Sequence, residues 1–181
     1  MMAIYVLVTL LVVLPLLGVG CEWVGSGDIL ERHHKHHGTY IVPHSYTRFL
    51  VVWMAVVSLA GLAAAWLMSE HVIPGDVTGA LTVFLALELA LSLEWGLMRR
   101  YKVITYDDRL RLTPHVGPST DIPYASITRM SWTKVGVSGF PNLQVEYGDG
   151  HIRMLSGMLD LNQIISVTGR DDAIDDGAGR S

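Results

Sequence analysis

Positive charge is what the first part of this chain lacks. No lysine or arginine precedes Arg32, none falls between Phe49 and Met98, and all thirteen lie in 32–48 or 99–180. Cysteine is almost as scarce: Cys21 stands alone, which excludes an intramolecular disulfide and any multi-cysteine metal cluster. Charged residues make up only 17% of the chain, against about 25% in ordinary soluble domains. With a net charge of −4 and no basic patch, the footprint of a nucleic-acid partner is missing. So are a nucleophile–base arrangement, a phosphate-binding glycine loop and paired carboxylates on one soluble face, and the expected function is non-catalytic.

What the chain has is apolar length. Half of its residues are hydrophobic, and they concentrate in the first hundred positions. The run "MMAIYVLVTLLVVLPLLGVG" carries no charge before Glu22 and has the length of a bilayer span. A signal peptide would begin with a positively charged segment, so residues 1–21 read as an uncleaved first transmembrane helix. "LGVGC" has a faint lipoprotein-cleavage look, but Gly18 stands where that pattern wants Leu. Pro15 is tolerable inside a span, where neighbouring helices satisfy the freed carbonyl.

The second run, Phe49 to Met68, is uncharged and carries Trp53 and Trp66 toward its ends, as interfacial aromatics do. "SEHVIPGD" makes a polar turn with Pro74-Gly75 as breaker, and the third run, Val77 to Met98, stops at "RRYK". Residues 48–100 therefore read as a transmembrane helical hairpin. Lysine and arginine near span ends mark the cytoplasmic side. Arg32, Lys35, Arg48, Arg99, Arg100 and Lys102 then face the cytoplasm, and the N-terminus and the Pro74 turn face outward.

From Tyr101 the helical pattern gives way to alternation. "YKVITYDDRLRL" predicts a β-hairpin turning at Asp107-Asp108, with Leu110 and Leu112 on one face. "DIPYASITRMSW" predicts a further extended stretch. In "NLQVEYGDGHIRML", Leu143, Val145 and Tyr147 alternate with Gln144 and Glu146, and Gly148-Asp149-Gly150 turns the chain. "DLNQIISV" predicts a short helix with Asp160 as N-cap, Gln163 three residues on, an apolar side of Leu161, Ile164 and Ile165, and Gly169 as its end.

The succession "ITYDDRLRL", "IPYASITRM" and "NLQVEYGDGHIRML" before a closing helix resembles the bacterial pleckstrin-homology-like domains, and among them the short membrane-anchored YyaB-like group. The resemblance covers about Tyr101 to Thr168. It implies a bent antiparallel barrel or sandwich closed by a C-terminal helix, standing behind membrane spans and serving as a binding or assembly module. The matched region is shorter than a full pleckstrin-homology domain, so a strand is expected to be missing. Eukaryotic lipid-binding members use a basic first hairpin, whereas this turn carries Asp107 and Asp108, so phosphoinositide binding is not carried over. After Gly169 the tail "RDDAIDDGAGRS" is acidic and nearly free of apolar residues, a composition expected to be disordered.

Two features bear chemistry. "ERHHKHHG" packs His33, His34, His36 and His37 around Lys35, with His44 further on. Imidazole suits Zn, Cu and Ni, and on a helix His33 and His37 share a face, with Glu22, Glu31 or His44 available to complete a tetrahedral set. Unperturbed histidines also titrate near pH 6.5, so acidification would add positive charge beside an anionic leaflet. The third reading is a polar, partly cationic loop that keeps the topology and touches headgroups. No cofactor is required by any of these, and a transition metal such as Zn belongs to the first alone.

The second feature is Glu88, about ten residues or ~15 Å from either end of the third span. An ionisable group at that depth is a functional-site hypothesis by default. No opposite charge lies in the first two spans, and the polar candidates are Ser58, Trp53, Thr82 and Ser92. Glu88 is expected either to sit protonated inside the bundle or to make an intramembrane contact with a partner or a second copy; proton or ion translocation comes third, because three spans offer too little wall for a pathway and no other charged residue continues a relay. Glu94 lies within reach of Arg99 and Arg100, and its offset of about 600° keeps it off the face of Glu88. His115 and His151 are isolated and read as surface strand residues.

The expected protein is thus an α+β membrane protein. Three transmembrane helices precede a small antiparallel β barrel or sandwich with a C-terminal helix. The first helix occupies 1–21, a cytoplasmic His-rich loop 22–47, the hairpin 48–100, the pleckstrin-homology-like domain 101–169 and the tail 170–181. Its expected place is the inner (plasma) membrane, and its expected role is that of an accessory subunit. It would bind a membrane protein partner, or a second copy of itself, through the module and the third helix. The alternative is a metal- or pH-responsive component working through His33, His34, His36 and His37.

Overall fold

Helices that are apolar on nearly every side can hide only a narrow stripe against one another, and the first half of the chain is built this way. The computed structural model describes residues 2–27, 38–133, 141–169 and 174–175. The chain divides into two units, one of helices and one chiefly of strands.

The helical unit contains α1 (Met2–Gly27), α2 (His44–Ser69) and α3 (Val77–Arg100). All three are long and apolar enough to cross a membrane. α1 runs further than the span expected over 1–21, and α2 begins at His44, four residues before Arg48. Pro15 lies within α1 and is buried. A side chain at Gly18 would meet Val51 at 3.2 Å, so α1 and α2 approach closely there. At Gly61 a Cβ would stand 2.8 Å from the Cβ of Phe84, which makes glycine the only residue that fits that crossing of α2 and α3. Leu11, Ala65, Leu81 and Leu85 form the apolar core of the unit, with Phe84 and Leu14 packed against it. The turn into α3 is capped by Asp76, whose carboxylate accepts from the backbone N–H of Thr78 at 3.2 Å and of Gly79 at 2.8 Å.

In the second unit, β2 (Lys102–Thr105), β3 (Arg109–Thr113) and β4 (Thr120–Pro123) form an antiparallel meander. β2 and β3 are the hairpin expected at Asp107-Asp108, closed by Tyr106 N–H to Arg109 O at 2.8 Å. A strand not anticipated by the sequence completes this sheet. β1 (Thr39–Ile41), from the segment expected to be a loop, pairs antiparallel with β2, Thr39 opposite Ile104 and Ile41 opposite Lys102. The whole hairpin α2–α3 is therefore inserted between two strands that are neighbours in one sheet.

The second sheet contains β5 (Ile127–Thr133), β6 (Asn142–Tyr147) and β7 (His151–Leu155), in the order β7-β6-β5-β8. β8 (Ile174–Asp175) pairs parallel with β5, so the tail expected to be featureless supplies a short edge; its other residues lie outside those described. The extended stretch expected over "DIPYASITRMSW" is broken in two. Pro123 ends β4, a 3-10 turn spans Tyr124–Ser126, and Ser126 Oγ donates to Pro123 O at 2.7 Å before β5 begins.

The two four-stranded sheets do not close into a barrel, which corrects that half of the expectation. The reason lies at this turn, where the chain leaves one sheet for the other, and among the described residues no ladder joins β4 to β5. Fully buried Val103, Leu110, Ile122, Leu143, Val145 and Leu155 point inward from their strands, as do Ile127 and Met130 of β5, which stand three residues apart because a bulge shifts the register between them. α4 (Leu161–Thr168) closes the unit with Leu161, Ile164 and Ile165 buried. Asp160 Oδ1 accepts from Gln163 N–H at 3.1 Å and Gly169 takes the left-handed conformation at φ 60°, both as the sequence predicts. The turn before β7 likewise places Gly148 and Gly150 at positive φ, 59° and 89°.

Candidate functional site

α3 presents Leu81, Leu85, Glu88, Ser92 and Trp95 at alternating steps of four and three residues, which is one face of a helix. Leu81, Leu85 and Glu88 on this stripe are buried. The matching stripe on α2 runs through Thr47, Leu50, Met54, Ser58, Gly61 and Ala65. Glu88 is 0% exposed, enclosed by the helices of its own chain. Ser58 of α2 faces it. Glu88 Oε1 and Oε2, Ser58 Oγ and Ser92 Oγ are all inaccessible, and none makes a hydrogen bond of normal geometry within the protein. Of the other candidates named from the sequence, Thr82 turns back to donate to Thr78 O at 2.8 Å and Trp53 is half-exposed.

A second polar group gathers where the C-terminal ends of α1 and α3 meet the start of α2. Trp95 Nε1 donates to Glu22 Oε1 at 3.0 Å, and His44 Nδ1 lies 3.8 Å from Glu22 Oε2. Glu22 is buried. Tyr46 Oη donates to Glu94 Oε1 at 2.5 Å, which gives Glu94 a partner on α2 that the sequence did not suggest. The sequence placed Glu22 as an added metal ligand; the structure gives its carboxylate to Trp95 and His44. Tyr46 and Trp95 were missed, although the spacing of Trp95 from Glu88 and Ser92 on α3 was a readable signal.

His33, His34, His36 and His37 lie outside the described residues. Among the described residues no group of three or more His, Cys, Asp or Glu side chains is placed to hold a metal ion.

In the strand unit the polar side chains are locked into the fold. Arg111 makes two hydrogen bonds to Asp121, Nε to Oδ1 at 2.6 Å and Nη2 to Oδ2 at 2.8 Å, and this pairing holds the Asp121 carboxyl below the usual carboxylate range. Tyr124 Oη donates to Tyr106 O at 2.8 Å; burial first, then Tyr40, Asp108 and Asp107 nearby, pushes its phenol up to about 12. Tyr101 stacks on His115 with ring centroids 4.4 Å apart and accepts the Ser156 N–H at 2.8 Å, and burial raises its phenol pKa. His115 is half-buried in a bend outside the strands, and His151 is an exposed residue of β7 whose ring lies 5.7 Å from that of Tyr147, so neither is isolated as expected. The edge strand β7 leaves Ile152 and Met154 each 51% exposed.

No protein-family model matches the chain, and no curated protein or solved structure shows a significant match.

Proposed function

We propose that this is a non-catalytic integral membrane accessory protein, built from three spans and a pleckstrin-homology-like binding module. Two observations support the membrane half. The outward faces of the helices are apolar, with Leu16, Leu17, Val52, Leu59, Val83 and Leu93 exposed, while the polar side chains Glu22, Ser58 and Glu88 turn inward. That polarity is the reverse of a soluble bundle and suits hydrocarbon solvent. The distribution of lysine and arginine supports a cytoplasmic module and an N-terminus outside the inner membrane. β1 supports the likeness to the pleckstrin-homology-like group, because it supplies a strand from upstream of the matched region.

The observation that carries the accessory role is β7. A strand that stands at the sheet edge among the described residues and exposes two apolar side chains is suited to receiving an added strand from a partner. The third helix contributes through its lipid-facing side, Leu87 and Leu93, since Glu88 turns inward. Native purification in mild detergent with quantitative mass spectrometry tests this. The wild type should bring down a membrane protein, or a second copy, in fixed proportion. The double variant Ile152→Lys/Met154→Lys should lose it. A wild type recovered alone and monomeric overturns the reading.

A second reading, a pH- or metal-responsive component, is favoured by His44 facing Glu22 at 3.8 Å, next in the chain to the segment carrying His33, His34, His36 and His37. Replacing those four with Gln should abolish a metal or pH response and leave partner binding intact.

A further inference from the structure

The buried oxygens of the helical unit point to a ligand. We propose that Glu88, Ser58 and Ser92 form a proton-binding site within the bundle, reached from the end that carries His44 and sealed toward the other. This needs the helices to lie in a bilayer but needs no partner, so loss of the accessory reading would leave it standing.

Four buried oxygens make no hydrogen bond of normal geometry within the protein: both of the Glu88 carboxyl, the hydroxyl of Ser58 that faces it, and the hydroxyl of Ser92 four residues along α3. An ionised carboxylate enclosed without a counter-charge is not sustained. No lysine, arginine or histidine lies between Phe49 and Met68 of α2, or between Val77 and Met98 of α3, to supply that charge. From α2 the group facing Glu88 is the neutral Ser58, and α1 has no titratable residue between Tyr5 and Cys21. The remaining charged or titratable groups of these helices sit near their ends: Glu22 with His44, Glu94 with Tyr46, then Arg48, Arg99 and Arg100. A proton therefore provides the neutralising charge. Uptake is the transfer of a proton from hydronium to the Glu88 carboxylate, leaving a neutral acid and a water.

The direction of access follows from what lies above and below. Toward the His44 end, Ser92 stands one helical turn from Glu88, about 6 Å along the axis, and Trp95 about 4.5 Å further, where it binds Glu22 beside His44. Toward the other end the same stripe continues as Leu85 and Leu81, which with Leu11 and Ala65 form a dry apolar core. Polar groups thus lead from one end to mid-depth and stop.

The test uses the full-length protein in liposomes, with orientation read from protease access to the strand unit. Infrared difference spectra are recorded after a pH step on one side of the membrane. Acidifying the His44 side should produce the C=O band of a protonated carboxyl that shifts in D2O, and Glu88→Gln should lose that band entirely. Ser92→Ala should keep the band but shift its frequency, which localises the acid even where Glu88→Gln fails to fold. An identical response from the opposite side, a band unaltered in Ser92→Ala, a midpoint that moves with sodium concentration, or no titrating carboxyl band would each overturn the proposal.

Discussion

Gly61 offers the most direct check on how the helices pack. A Cβ there would lie 2.8 Å from the Cβ of Phe84 and 2.9 Å from its Cγ. Carbon atoms in contact prefer about 3.5–4.0 Å, so Gly61→Ala must open the crossing of α2 and α3 by at least ~0.7 Å. The Cβ of a phenylalanine is fixed by the backbone, so no rotamer change removes the 2.8 Å contact. Overpacking of this kind costs about 1–3 kcal/mol, about a 5- to 150-fold shift in the unfolding equilibrium. Reversible unfolding in mixed micelles, followed through tryptophan fluorescence, would measure it. The control is Phe84→Gly, which loses packing itself but removes both the Cβ and the Cγ that a side chain at position 61 would meet. In that background Gly61→Ala should cost less than about 0.5 kcal/mol, so the pair is non-additive. A Gly61→Ala protein as stable as the wild type, or costs that simply add, would refute the close approach of these two helices.

Three further outcomes concern the strand unit. Asp160→Ala removes the cap of α4 and should cost about 1 kcal/mol of its stability, whereas Asp160→Asn should cost less, as read from urea unfolding of the full chain in detergent. The Asp121 carboxyl is depressed by Arg111, so its contribution is complete above the ordinary carboxylate pKa of about 3.9 and is lost as pH falls through the lower folded value. Asp121→Asn should remove that part of the acid-side slope in a stability–pH profile. Tyr124 runs the other way. With its phenol raised to about 12, the contribution is present below the unfolded value near 10 and disappears as pH climbs toward 12. Tyr124→Phe should abolish that alkaline loss and cost about 1 kcal/mol at neutral pH for the hydrogen bond to Tyr106 O, with phenolate absorbance reporting one fewer high-pKa tyrosine.

Local signals in the sequence were sufficient for much of the fold. The long apolar runs, the alternation around Leu143 and Val145, the Asp160 cap and the left-handed Gly169 each depend on a few adjacent residues, and the structure has them. Strand β1 was invisible because "TYI" is too short to show a period, and its partner lies across the entire helical hairpin, Thr39 against Ile104. Closure of the strands was illegible for a related reason: whether two sheets join depends on ladders between distant strands, and alternation reports only which face is buried. At the candidate site, Glu88 stood out by its depth, and Ser58 and Ser92 were among the polar groups named beside it. The Glu22, His44 and Trp95 group was hidden because its members come from three helix ends that meet only after packing.

The insertion of α2 and α3 between β1 and β2 also constrains how the protein is made. β1 leaves the ribosome well before β2, so the first sheet cannot gain its edge strand until both helices of the hairpin have been made. Should only one of the two helices be threaded, β1 and β2 would emerge in different compartments and never meet. The ladder of Thr39, Tyr40 and Ile41 against Ile104, Val103 and Lys102 thus requires both ends of the helical hairpin to lie on one side of any bilayer it crosses.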